Sequence, residues 1–168
     1  KSFFNFFEAI ISSSLVPHSV SSLSNETLRV GQVTSIYFLF AVIAALLSAL
    51  IIIVDGTISS IYIPIILGIG VFCSIANSYM YVRVITKDKA DILFLSSFLS
   101  LLILGVLLYF SSINSVEYAL LFIVTFNCLD FLFRWTFLKR HTFNIKFEVS
   151  NLQLKKPLLL MASLGLNG

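Results

Sequence analysis

The chain has 168 residues, of which 58% are hydrophobic and only 11% charged, with a formal net charge of +3. A soluble domain carries about 25% charged residues, so this composition argues against a soluble globular protein and for one whose solvent is the bilayer. Nucleic-acid binding is excluded with it, because the Lys and Arg residues, Arg134 apart, sit mainly in short connecting segments and not on a solvated face interleaved with stacking aromatics.

The chain opens KSFFNFFEAIISSS, with no Met, no basic n-region and no small-residue cleavage site. This stretch reads as a partial span, 3–16, ending at Pro17. Residues 33–54 carry no charge over 22 positions, enough at about 1.5 Å per residue to cross a roughly 30 Å hydrocarbon layer. Residues 61–82 are equally long and uncharged, with Pro64 in the first turn, where its missing N–H is tolerated. Further spans are expected at 92–110 and 118–138, and the start of another from 157 onward. The polar run KRHTFNIKFEVSNLQLKK between the last two reads as an interfacial amphipathic helix. The expected fold is therefore an all-α polytopic transmembrane bundle, a single region over 1–168 with about five complete or near-complete spans. The apolar ending KKPLLLMASLGLNG, like the opening, reads as a cut inside a membrane segment of a longer protein.

Orientation follows from Lys and Arg on alternate sides of the spans. One side collects Arg29, Arg83, Lys87, Lys89, Lys139, Arg140, Lys146, Lys155 and Lys156, whereas the linkers on the other hold only Asp55 and Glu117. The basic side is expected to be cytoplasmic, which puts the Asn25-Glu26-Thr27 sequon where it would not be glycosylated. Cys73 and Cys128 both lie in apolar stretches and read as packing residues, not as a disulfide framework or metal cluster. No metal or other cofactor is expected.

A few polar residues inside the spans are the candidate functional groups. Ala41, Ala44, Ala45 and Ser48 share one arc of their helix, and Gly70, Ser74, Asn77 and Tyr81 another; small residues let backbones approach closely in lipid. Asn77 stands out, since a buried amide wants partners, either across a helix interface or along a polar path. Glu8, within the 3–16 span, costs about 2.5–3.5 kcal/mol at the bilayer centre unless paired or hydrated. In FNCLDFLFRWTF, Asn127, Asp130, Phe131 and Arg134 fall on one helix face. Arg134 can snorkel toward headgroups and the shorter Asp130 cannot. Two readings stay open for this face: an ion pair that neutralises Asp130, or one wall of a hydrated cavity. Phosphate-binding GxxxxGK[ST], HExxH and GxSxG motifs are missing, and His18 and His141 fall in basic flanks, so an enzyme is not expected.

Read as a whole, SSSLVPHSVSSLSNETLR, NSYMYVRVITKDKADIL, VEYALLFIVTFNCLDFLFRW and LKKPLLLMASLGLNG resemble successive spans and linkers of the O-antigen type polysaccharide flippases. These are polysaccharide biosynthesis membrane proteins of the multidrug/oligosaccharidyl-lipid/polysaccharide exporter superfamily. The resemblance implies spans two to six and the start of seven of a multi-pass inner-membrane transporter. Its implied partner is a lipid-linked oligosaccharide, moved by alternating access through a central polar cavity completed by the protein's remaining spans. The candidate path residues are Asp130, Arg134, Asn127, Asn77 and Glu8. Competing expectations are a membrane-embedded glycan-assembly enzyme, which would carry a large hydrophilic loop, and a non-transporting scaffold subunit.

Overall fold

The computed structural model describes residues 15–24, 29–55, 62–110, 116–140 and Glu148. Within them the fold is all helical: α1 (Val16–Ser24), α2 (Val30–Asp55), α3 (Tyr62–Ile85), α4 (Ala90–Phe110) and α5 (Val116–Arg140). Four stretches, Val30–Val54, Tyr62–Ile85, Ala90–Tyr109 and Leu120–Lys139, are long and apolar enough to cross a membrane. The chain is thus a polytopic membrane protein. The helices overrun several of the expected boundaries by two or three residues, because a helix does not end where the hydrocarbon does. The expected span from 157 lies outside the described residues, as do Glu8, the sequon and all of the expected 3–16 span except buried Leu15 and Val16, which starts α1. Of the expected interfacial helix, only Lys139, Arg140 and Glu148 are described. The first two end α5, and Glu148 is non-helical.

Exposure is inverted relative to a water-soluble protein. Along α2 the residues turned away from the rest of the chain are Leu39, Val42, Ile43, Leu46, Leu47, Leu50 and Ile51, a stripe at i, i+3, i+4 spacing. The buried set includes Thr34, Ser35, Ser48, Asn77, Ser96, Ser100 and Asp130. Such a surface is stable only when lipid covers it, since water would leave an apolar patch far larger than monomeric soluble proteins expose.

α3 is the hub of the described bundle. It packs against α1, α2, α4 and α5, and α4 also packs on α5. The α2–α3 seam is made close by small residues, with Ala41, Ala44 and Ser48 buried. A Cβ added at Gly68 would stand 3.2 Å from the Ala45 carbonyl oxygen. Toward the other end of the same seam, Thr34 Oγ1 lies 2.7 Å from Tyr79 Oη. Thr34 spends its single proton on the Val30 carbonyl at 2.8 Å, so the Tyr79 hydroxyl is the donor between them. Tyr37 and Phe38 pack their rings on Tyr79, with centroids 5.7 and 6.1 Å away.

Two corrections concern the ends of helices. Pro17, expected to end a span, instead lies in the first turn of α1, a position where proline is tolerated; the helix then continues through the serines and buries Ser19 and Ser22. Arg83, expected in a linker, belongs to the last turn of α3 and is buried, at 7% exposure. The α3–α4 connection is an exposed basic turn, as its sequence suggests. Lys89 N–H bonds the Val84 carbonyl at 3.1 Å and Asp88 N–H bonds the Ile85 carbonyl at 3.2 Å. This pair of bonds is a Schellman cap, with Asp88 at φ 52° in the left-handed position usually taken by glycine. Ile92 N–H then bonds the Lys89 carbonyl at 3.0 Å to start α4, whose first turn carries Asp91 at the favourable end of the helix dipole.

Consecutive spans run antiparallel: residue 34 meets 79 and residue 45 meets 68 across α2–α3, while Ser97 meets Asp130 across α4–α5. Arg29, the Lys87–Lys89 turn and Lys139 therefore gather at one end of the bundle. The densest packing lies toward the same end, with Val33, Ile36, Tyr37, Tyr79, Met80, Val84, Ile92 and Leu138 in one cluster. Glu148 reaches this end too, its N–H 3.3 Å from the Gly31 carbonyl and its carboxylate 3.9 Å from Arg29.

Candidate functional site

Asp130 lies at the middle of the Leu120–Lys139 span, nine residues or about 13 Å from Lys139. Its side chain is 4% exposed and pairs with Arg134 one helical turn on, Oδ2 to Nη2 at 2.5 Å. The i, i+4 spacing brings them onto one face, and that face is turned toward α3 and α4. Ser97 of α4 donates to Asp130 Oδ1 at 3.3 Å and accepts from Arg134 Nη2 at 3.3 Å, so its hydroxyl bridges the two charges. Arg134 Nε donates to Ser96 Oγ at 3.3 Å and Nη1 to the Asn77 carbonyl at 3.4 Å.

This geometry corrects one expectation. Arg134 does not extend toward the basic boundary to meet headgroups; it turns sideways across α4 and α3, with only 13% of its side chain exposed. The reason is local: three helices place four acceptors within its reach, and each charge-assisted hydrogen bond is worth about 1.5–3 kcal/mol.

Asn77 completes the arrangement from α3. Its Nδ2 donates to the backbone carbonyl of Asn127 at 3.0 Å. A carbonyl only accepts, so this contact settles which end of the amide faces α5. The other end, Oδ1, is buried and has no hydrogen-bond partner among the described residues. Asn77 is also one of the residues around a cavity of about 470 Å³ between α3, α4 and α5, to which Val16 of α1 contributes as well. The polar wall is contributed by Ser74, Asn77, Ser78 and Tyr81 of α3, Ser97 of α4, and Asn127, Asp130 and Arg134 of α5. One turn deeper, Cys73 and Cys128 face each other across α3 and α5, Sγ to Sγ 3.4 Å. They are free thiols, since a disulfide would bring the sulfurs to about 2.05 Å.

Four of the five path residues named from sequence, Asn77, Asn127, Asp130 and Arg134, thus surround one cavity, and Glu8 lies outside the described residues. Asp130 and Arg134 form the ion pair of the first reading, and both side chains also line the cavity. Sequence reading missed Ser96 and Ser97, because single serines are common in membrane helices; their adjacency, with Ser100 one turn on in an otherwise apolar span, was the available signal. Among the described residues no cluster of three or more His, Cys, Asp or Glu side chains is placed to hold a metal. No protein-family model, curated protein or solved structure matches this chain.

Proposed function

We propose that this chain is part of a transporter that passes a hydrophilic group through the centre of a membrane helix bundle without bond chemistry. Its cargo, in this reading, is a lipid-linked oligosaccharide crossing the cytoplasmic membrane by alternating access, with the Arg29, Lys87, Lys89 and Lys139 end cytoplasmic. The observation that carries the reading is the Asp130–Arg134 pair at mid-span beside a polar cavity. Ionisable groups at this depth are expensive and mark substrate or ion paths. A purely structural pair is replaceable by apolar residues of similar volume at little or no loss. The oligosaccharide assignment is supported by the span and linker pattern described above.

The test uses the full-length protein and follows polysaccharide export to the cell surface. Asp130→Ala and Arg134→Ala are expected to reduce export, and so is the double variant Asp130→Leu/Arg134→Met, which removes both charges while keeping the space filled. Normal export by the double variant, at wild-type abundance in the membrane, would overturn the reading.

A further inference from the structure

We infer that Cys73 and Cys128 are a redox pair, which a lipid-soluble quinone oxidises to an α3–α5 disulfide, and that this bond arrests transport by fixing one wall of the cavity. The arrest rests on the proposed transport function; the disulfide does not. The chain has only two cysteines. They are 55 residues apart and on different helices, yet the fold brings their sulfurs to 3.4 Å. A free cysteine packs as a small apolar side chain, a role that needs no second cysteine opposite it. Closing the bond takes the sulfurs from 3.4 Å to about 2.05 Å.

The position of the pair selects the oxidant. Cys73 is buried and Cys128 half-buried, so an oxidant meets Cys128 first. At about 100° per residue, Leu121 and Leu132 lie within about 40° of Cys128 around α5, and both are exposed on the apolar surface of the described bundle. Neither cysteine is among the residues that line the polar cavity. The open side of the pair therefore faces hydrocarbon among the described residues, near the middle of both the Tyr62–Ile85 and Leu120–Lys139 spans. A charged oxidant is expensive at that depth, whereas a quinone dissolves there. In the step, two S–H bonds break and one S–S bond forms. The quinone takes both electrons and both protons and becomes the quinol.

The bond would form against the cavity wall. Ser74 and Asn127, the chain neighbours of the two cysteines, both line the cavity, and Asn77, one turn from Cys73, already bonds the Asn127 carbonyl at 3.0 Å. That hydrogen bond can break and reform as the helices move; a disulfide cannot. It fixes the α3–α5 separation along this wall and shuts out a cargo that has to spread the two helices.

The test uses the full-length protein reconstituted in lipid vesicles under argon, which keeps dioxygen out. Tetramethyl-1,4-benzoquinone, which has no ring hydrogen for a thiol to replace, is compared with ferricyanide, a charged oxidant confined to water. Remaining thiols are then blocked with N-ethylmaleimide in SDS, and the digested protein is read by mass spectrometry. The quinone is expected to join the Cys73 and Cys128 peptides into one cross-linked species, and tributylphosphine to release them. Ferricyanide with the same oxidising equivalents is expected to leave them free. Flipping of lipid-linked oligosaccharide, read by its accessibility to an added glycosidase, should be lost with the quinone and return with the phosphine. In Cys128→Ala it should be indifferent to the quinone. Absence of the cross-linked peptide overturns the inference, as does oxidation confined to one cysteine or equal cross-linking by ferricyanide. A cross-link that leaves flipping unchanged overturns the arrest. The peptide measurement stands even if Cys128→Ala fails to fold, because it uses the protein with both cysteines. Normal export by Asp130→Leu/Arg134→Met would sink the transport reading and leave the disulfide standing; lost export by that variant with no cross-link would do the reverse.

Discussion

Replacing Arg134 by Met should destabilise the bundle more than replacing its partner, and the structure says where the loss falls. Without the guanidinium, Ser96 keeps its bond to the Leu93 carbonyl and Ser97 keeps its bond to Asp130. Only Asp130 Oδ2 is stranded, as half of a charge at mid-span. Two charges about 4 Å apart at an effective dielectric constant of 20 interact by about 4 kcal/mol, and breaking a buried pair from one side costs about 3–5 kcal/mol. Asp130→Leu is milder, about 1.5–3 kcal/mol for one charge-assisted bond, because Arg134 retains Ser96, Ser97 and the Asn77 carbonyl and has a stem long enough to re-route. The double variant should lose less than Arg134→Met alone. Unfolding in mixed detergent micelles, followed by reaction of buried Cys73 with a fluorogenic maleimide, measures all four corners of the cycle. If the two single losses add to the double loss within about 0.5 kcal/mol, or if Asp130→Leu proves the worse single change, the account of this pair is wrong.

The same unfolding assay reads the other predictions. Gly68→Val should cost about 1–3 kcal/mol, since its Cβ would press on the Ala45 carbonyl and push α2 from α3. Gly105→Ala, with nothing within 4 Å of the new methyl, should be neutral or stabilise by up to about 1 kcal/mol through helix propensity; equal losses at both glycines would contradict the packing described. Asp88→Gly should raise stability by about 0.5–1 kcal/mol and Asp88→Val lower it, because the left-handed conformation at φ 52° costs a side-chain-bearing residue roughly 1–2 kcal/mol. A Gly variant less stable than the parent would show that the Asp88 side chain contributes more than its backbone strain removes.

The spans were legible because the signal is one-dimensional: an uncharged run has a length, and length alone decides whether a helix can cross. The shared face of Asn127, Asp130 and Arg134 was legible for the same reason, since residues on one helix keep a fixed angular relation. What crosses between helices was not legible. Nothing in the run of residues 62–85 says that α3 touches every other described helix, or that the Asn77 amide finds a backbone carbonyl on α5. Arg134 looked like a boundary anchor because its acceptors, Ser96, Ser97 and the Asn77 carbonyl, lie on other helices. Arg83 looked like a linker charge because its burial depends on neighbours remote in sequence, and the Schellman cap was hidden by an Asp in a glycine's place.

The partners of Arg134 also have an order in time. Asn77, Ser96 and Ser97 all precede α5 in the chain and are synthesised before it. An Asp and an Arg near the centre of a single helix raise its insertion free energy by about 2.5–3.5 kcal/mol each, and α5 is the least apolar of the four spans. The helices that neutralise α5 are therefore already in the membrane when it leaves the ribosome, so that its entry is docking onto a prepared polar seam. A permuted chain that emitted α5 first would present the same residues to bare lipid.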